Sequence, residues 1–146
     1  MYPAEVHVWA LLIFLAKGSF EMSWQSYVDN NILGAGMAHG AIIGAGGGTW
    51  ATSPDFTLSP EEEKILIAGF GNPANASATG ITANGVKYFT LKADARSIYG
   101  KHGDGGVVAV KTHKAILIGV YDAKLQPGAA ANVIEKLADY LIDQDF

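Results

Sequence analysis

Residues 96–121, RSIYGKHGDGGVVAVKTHKAILIGVY, set the fold class. Three runs rich in aliphatic, β-branched and aromatic residues, 96–101, 107–112 and 115–121, read as strands. Between them lie only the Gly-Asp-Gly-Gly turn at 103–106 and a tight Thr112-His113-Lys114 connection. Connectors this short reverse a strand onto its neighbour and cannot carry a crossover, so the sheet is antiparallel.

Toward the N-terminus, Val86 to Ala93 is preceded by Asn84-Gly85 and by Gly80 to Ala83. Asn-Gly supplies the two positive φ angles of a type I′ turn, which makes this another hairpin. Ser59-Pro60-Glu61-Glu62 combines a capping Ser, Pro at the first helical position and Glu three residues after the cap, and predicts a helix to about Phe70. The charge run Glu61 to Lys64 reads most simply as the solvated first turn of that helix. Ala38 to Ala45 and Thr49 to Ser53 flank Gly46-Gly47-Gly48 and form a further hairpin, with Trp50 just past its turn.

Each end of this β-rich stretch carries a helix. Ser23 is an N-cap, behind which Trp24, Tyr27, Val28, Ile32 and Ala35 recur near helical spacing, with Gly34 and Gly36 as stop signals. Pro127-Gly128 opens the last helix, whose stripe is Val133, Ile134, Leu137, Ala138 and Leu141. The order helix, strands, helix, strands, helix is an α+β architecture in which the two terminal helices bury their stripes on one face of the sheet.

The chain has 146 residues, 49% of them hydrophobic and 16% charged, which suits one compact domain with a sizeable core. A net charge of -4 argues against a nucleic-acid binder, whose phosphate contacts need a basic balance. With no cysteine there is no disulfide framework and no thiolate chemistry, and the four histidines, His7, His39, His102 and His113, lack metal-ligand spacing. No metal or cofactor is therefore expected. Gly44-Ala45-Gly46-Gly47-Gly48-Thr49 lacks the Lys of a Walker loop and the third Gly of a dinucleotide fingerprint, and reads as a turn. No Ser or acid pair stands in a catalytic motif, so a binding module, not an enzyme, is expected.

Val8 to Ala16 is uninterrupted apolar sequence, too short for a bilayer span and without the preceding basic residues of a secretory signal. A second methionine, Met22, opens what reads as a complete domain, so residues 1–21 are expected to be an N-terminal extension outside the fold and residues 22–146 the domain. Asn75-Ala76-Ser77 is a formal glycosylation sequon to which no role is assigned.

The segments Met22-Ser23-Trp24-Gln25-Ser26-Tyr27-Val28-Asp29 and Leu137-Ala138-Asp139-Tyr140-Leu141-Ile142 look like the two ends of profilins. So do Ala41-Ile42-Ile43-Gly44 followed by Trp50-Ala51, the Asn-Gly hairpin leading to Lys87-Tyr88, Arg96-Ser97-Ile98-Tyr99-Gly100-Lys101, Gly105-Gly106-Val107-Val108, and Lys111-Thr112 with Ile116-Leu117-Ile118-Gly119. The resemblance runs in order from Met22 to Phe146 and looks nearer to fungal and plant profilins than to animal ones. It implies a central antiparallel sheet with the N- and C-terminal helices on one face and smaller helices on the other.

It also implies two binding faces. An aromatic groove for polyproline would use Trp24, Tyr27, Trp50, Tyr140 and Phe146, with Leu141 beside them; the last position is commonly Tyr in the family, so Phe146 keeps the ring without its hydroxyl. Trp24 and Tyr27 lie three apart on one helical face, as a groove requires, although Tyr27 taken alone reads equally as core. Monomeric actin would meet Lys87, Thr90, Lys92, Tyr99, Lys101, Val107, Ala109, Gln126, Gly128, Asn132 and Lys136, an assignment that an ordinary exposed strand surface would match as well. A phosphoinositide headgroup would meet Lys87, Lys92, Arg96, Lys101, Lys111 and Lys114 in competition with actin, though lysines keeping a sheet face soluble read the same way.

The expected function is thus that of a cytoplasmic, cytoskeletal actin-monomer-binding protein that delivers actin to proline-rich proteins such as formins and eases its nucleotide exchange. The alternative from another class is a membrane-associated phosphoinositide-binding regulator, using the basic strand face and the apolar residues 8–16. A third is a secreted polyproline-binding variant.

Overall fold

In the computed structural model residues 23–146 are described, and the expectation for residues 1–21 falls outside them. Helix α1, residues 24–35, starts α-helical over Trp24–Ser26, widens to π geometry over Tyr27–Ile32 and tightens to 3-10 over Leu33–Ala35. Ser23 Oγ accepts from the Ser26 N–H, and Gly36 ends the helix in the left-handed region at φ 105°.

The strands are β1 (His39–Gly44), β2 (Thr49–Thr52), β3 (Ile81–Ala83), β4 (Val86–Ala93), β5 (Ser97–His102), β6 (Gly105–Lys111) and β7 (Ala115–Tyr121). They form one sheet in the order β2-β1-β7-β6-β5-β4-β3, every pairing antiparallel. Asn84 and Gly85 adopt φ of 52° and 80°, the predicted type I′ geometry. Three further helices are α2 (Pro60–Gly71), α3 (Pro73–Thr79) and α4 (Pro127–Asp143).

Because side chains alternate along β6 and β7, each strand feeds two cores. Val108, Val110 and Leu117 point to the face where α1 and α4 lie, and pack with Val28, Ile32, Ile134, Leu137 and Leu141. Val107, Ala109, Ile116 and Ile118 point to the other face, under Leu66, Phe70 and Ala76 of α2 and α3. Both terminal helices thus share one face. Each fully buried aliphatic side chain of these layers stabilises the fold by about 1.5–3 kcal/mol.

Two local expectations are corrected. The Glu61 to Lys64 run is not simply a solvated turn. Glu62 closes the capping box with Ser59 and also accepts from the Asn84 and Gly85 N–H groups at 3.0 and 2.8 Å, which fastens the β3–β4 turn to α2. Glu63 is buried and accepts from Gly48 N–H and Thr49 Oγ at 2.8 and 2.7 Å, holding the β1–β2 turn. The sequence predicts no element between Phe70 and Gly80, where α3 forms. Its signal is an Asn72 N-cap accepting from Asn75 N–H, followed by Pro73 at the first helical position.

Candidate functional site

At the end of the sheet where β1 meets its turn, four rings converge. Trp24 of α1 lies 5.6 Å from Tyr27, 4.8 Å from Trp50 of β2 and 5.2 Å from Phe146, centroid to centroid, and meets Phe146 edge-on at 88°. Trp50 and Phe146 are 40% and 37% exposed, high for such large apolar rings and enough to present a surface.

Local structure places each ring. Trp24 and Tyr27 share a helix face by their spacing of three. Gln25 ties α1 to β2 by donating to the Thr52 carbonyl and accepting from its N–H, at 2.9 and 3.4 Å. Trp50 packs over Gly44, whose missing side chain leaves room: a Cβ there would come within 3.0 Å of the indole nitrogen. Phe146 is held by its own backbone, its N–H donating to Leu141 and its oxygen accepting from Thr112 Oγ at 2.9 Å and from Lys114 N–H. The Lys114 ammonium sits 5.6 Å from the centre of the Phe146 ring.

The remaining residues expected in this groove lie deeper. Tyr27 and Tyr140 are each 9% exposed, and the Tyr27 hydroxyl is pushed up in pKa by burial and then by Tyr140 beside it. Leu141 is fully buried, so its side chain supports the groove from beneath and does not line it.

The surface expected to meet actin is brought together in part. On β4 and β5 the register Phe89↔Lys101 and Lys92↔Tyr99 puts these four side chains on the sheet face that α4 shares, with Lys87 on the same side by alternation. Along α4, Gly128, Asn132 and Lys136 repeat every four residues and form one exposed stripe. That stripe shares its side of the helix with Glu135, which reaches β5. Gln126 is exposed at the N-cap of α4. Three expected residues fall elsewhere. Val107 and Ala109 are 1% and 0% exposed in the opposite core, and Thr90 donates its hydroxyl to the Ala76 carbonyl of α3 on that same opposite face.

Glu135 is the junction between α4 and β5. Its carboxylate accepts from Arg96 Nε at 3.1 Å, Ser97 Oγ at 2.7 Å and the Tyr99 hydroxyl, while Arg96 also pairs with Asp139 at 2.8 Å. Burial, and then the bond to Glu135, push the Tyr99 phenol up to about 12. Asp94 is held below the usual carboxylate range by the N–H groups of Ser97 and Arg96. Lys92 lies 5.0 Å over the Tyr99 ring.

The six basic residues expected to hold a phosphoinositide divide into groups. Lys87, Lys92 and Lys101 share the exposed face described above. Arg96 is engaged by two carboxylates. Lys111, roughly 17 Å along β6 from Gly106, the strand partner of Lys101, at about 3.3 Å per residue, projects to the other face, and Lys114 sits at the aromatic groove.

Sequence reasoning passed over Phe89, the most exposed large apolar side chain among the described residues at 72%, and Leu91 at 60%. Leu91 is the extra residue of a bulge between Thr90 and Lys92. Their signal was an apolar residue on each side of Thr90 in a strand already rich in Lys, which cannot be read as exposed until the sheet edges are known.

The profilin family model matches residues 22–146. The chain is 56% identical over 125 residues to profilin-2 of Dictyostelium discoideum, covering 85% of this chain and 99% of that protein. It superposes on Acanthamoeba castellanii profilin IB with a TM-score of 0.83 at 55% identity, covering 85% of this chain and 100% of the other. Mouse profilin IIa, solved in complex with a double repeat from the FH1 domain of mDia1, shares the fold at a TM-score of 0.71 and 21% identity, covering 84% of this chain and 99% of that one.

Proposed function

Since this chain belongs to the profilin family, we propose that it binds monomeric actin on one surface and proline-rich segments on another, and so regulates actin polymerisation without bond-making chemistry of its own. The observation that carries the proline-rich site is the cluster of Trp24, Tyr27, Trp50 and Phe146, two of whose rings are over a third exposed at one end of the sheet. Flat rings pack against proline rings, and a polyproline II ligand arrives already ordered. Formin segments of the kind seen with the mouse relative suit such a groove.

The actin surface we assign is Lys87, Lys92, Tyr99 and Lys101 with Phe89 at its centre, flanked by Gln126, Gly128, Asn132 and Lys136. An exposed aromatic ring ringed by polar and basic side chains is the composition of an interface anchor. Easier nucleotide exchange on actin follows from tighter binding to a more open actin conformation. The setting is the cytoplasm and its cytoskeleton. Among the described residues no helix is long and apolar enough to cross a membrane.

A second reading, phosphoinositide binding, is favoured by the shared exposed face of Lys87, Lys92 and Lys101. Since those lysines belong to the actin surface, the two ligands compete. The apolar residues 8–16, outside the described residues, would supply any membrane anchor, and residues 1–21 are proposed to lie outside the domain.

The decisive experiment is a titration of polyproline peptide followed by tryptophan fluorescence, in the full chain carrying Trp9→Phe and in a version starting at Met22. A saturable response in both supports the groove. No response in the shorter form refutes it, and a response in the shorter form alone means that residues 1–21 obstruct it.

A further inference from the structure

The turn between β3 and β4 combines an intrinsic chemical weakness with a brace. Six asparagines occur in the chain, and Asn84 alone is followed by glycine; the others precede Asn, Ile, Pro, Ala or Val. An asparagine is thermolabile because the backbone nitrogen of the next residue can attack its Cγ. A side chain on that next residue hinders the attack, and Gly85 has none. Asn84 and Gly85 are both exposed, and a Cβ built on Gly85 would meet nothing within 4 Å, so space and solvent surround the reacting atoms.

What opposes the reaction is the way the turn is held. The Asn84 carboxamide is held loosely: Oδ1 accepts from Thr57 N–H and Nδ2 donates to the Asp55 carbonyl, both at 3.3 Å, the long end of the hydrogen-bond range. The backbone is held firmly. Glu62 accepts from Asn84 N–H at 3.0 Å and, through Oε2, from Gly85 N–H at 2.8 Å, so the nitrogen that must attack is one that the carboxylate grips. Bonds to a carboxylate are the stronger kind. Asn84 and Gly85 sit at φ of 52° and 80°, and closing a five-membered ring on Asn84 takes its ψ away from the type I′ turn, so the turn must open first.

We propose that Asn84 is a site of spontaneous deamidation whose rate is set by release of the Asn84-Gly85 turn from Glu62. In the released turn the Gly85 nitrogen bonds to Asn84 Cγ, the Cγ–Nδ2 bond breaks, and ammonia leaves with the Gly85 proton. The product is a cyclic imide. Water then opens it at either carbonyl, giving aspartate or isoaspartate at position 84, with nothing oxidised or reduced. Either product alters the turn. Aspartate places a carboxylate where Nδ2 donated to the Asp55 carbonyl, and isoaspartate routes the backbone through Cγ and lengthens a two-residue loop by one carbon. Strand β4 begins at the residue after Gly85, so the β3–β4 hairpin loosens as the molecule ages.

The test incubates the full chain at neutral pH and physiological temperature and follows each asparagine by peptide mass spectrometry, with an isoaspartyl methyltransferase assay to count isoaspartate. The expected result is conversion at Asn84 ahead of the other five asparagines. It should run at least tenfold faster in Glu62→Ala, and at an intermediate rate in Glu62→Gln, whose amide offers one acceptor oxygen for two N–H groups. Ser59→Ala breaks the other half of the same capping box but leaves Glu62 on the turn, so its rate should stay within twofold of wild type. A rate in Glu62→Ala that is unchanged overturns the proposal, and so does a slower one, which would make the carboxylate the base that activates Gly85. Equal acceleration in Ser59→Ala would assign the reaction to loss of the helix end and overturn it as well, as would the absence of conversion at Asn84 in every form.

Discussion

Gly40 of β1 and Gly119 of β7 are a directly opposed cross-strand pair, and both leave bare backbone under the terminal helices. A Cβ on Gly40 would lie 2.6 Å from Ile32 Cγ2 of α1, and one on Gly119 would lie 2.4 Å from Met37 Cε and 2.8 Å from Ile134 Cδ1 of α4. The same two helices carry Trp24 and Tyr140, so the depth at which they seat on the sheet sets the geometry of the aromatic groove.

Gly119→Ala is therefore expected to lower stability by about 1–3 kcal/mol through overpacking. Gly46→Ala, where a Cβ meets nothing within 4 Å, should stay within about 0.5 kcal/mol. Urea denaturation of both variants checks this. Equal midpoints would mean that α4 seats without help from Gly119.

At the groove, Trp24→Ala removes the ring that touches the other three and should weaken polyproline binding at least tenfold, a loss of about 1.4 kcal/mol or more. Leu141→Ala acts differently because its side chain is buried: stability should fall by about 2–5 kcal/mol, with a smaller loss of affinity in the molecules that remain folded. Fluorescence titration combined with thermal melting separates the two effects.

On the proposed actin surface, Phe89→Ser and Lys101→Glu should each weaken actin-monomer binding at least tenfold and leave polyproline affinity unchanged, with the Lys101 effect shrinking as salt is raised. Thr90→Val should leave actin binding unaltered, since Thr90 donates to α3 on the other face. Sedimentation of pyrene-labelled actin in the presence of each variant measures all three.

The Tyr99 phenol gives a pH signature. Its pKa in the folded protein, about 12, exceeds the unfolded value of 10. The folded state therefore holds a proton that the unfolded chain releases, and the stability it contributes is complete below pH 10 and is lost as pH rises toward about 12. Glu135→Gln removes the second cause of the shift and leaves burial, so it should move the phenol titration part of the way back toward 10. Absorbance at 295 nm in wild type, Glu135→Gln and Tyr99→Phe resolves this, and an unmoved titration in Glu135→Gln would assign the whole shift to burial.

Much of this fold was legible in the residues. Ser59-Pro60 and Glu62, Asn84-Gly85, the Gly36 stop and the aliphatic and β-branched runs of 96–121 with their short turns are local codes, each satisfied by neighbours within a few positions, so they can be read without the rest of the chain. Helix α3 escaped notice because Ala76, its one buried residue, forms no apolar stripe, leaving only the Asn72-Pro73 cap as a signal.

What the sequence by itself determined was the order of the elements, the antiparallel sense of the sheet and the family, because turn chemistry, caps and periodicity are properties of short segments. Exposure was decided only by the tertiary structure. Val107 and Lys101 both sit in strands with the same alternation, yet one lies in a core and the other in solvent, because helices cover different parts of each sheet face. The meeting of Trp24 with Trp50 and Phe146, the pairing of Arg96 with Glu135 and Asp139, and the hold of Glu62 on Gly85 all join residues far apart in the chain. Such contacts depend on sheet order and helix seating, which no local pattern encodes.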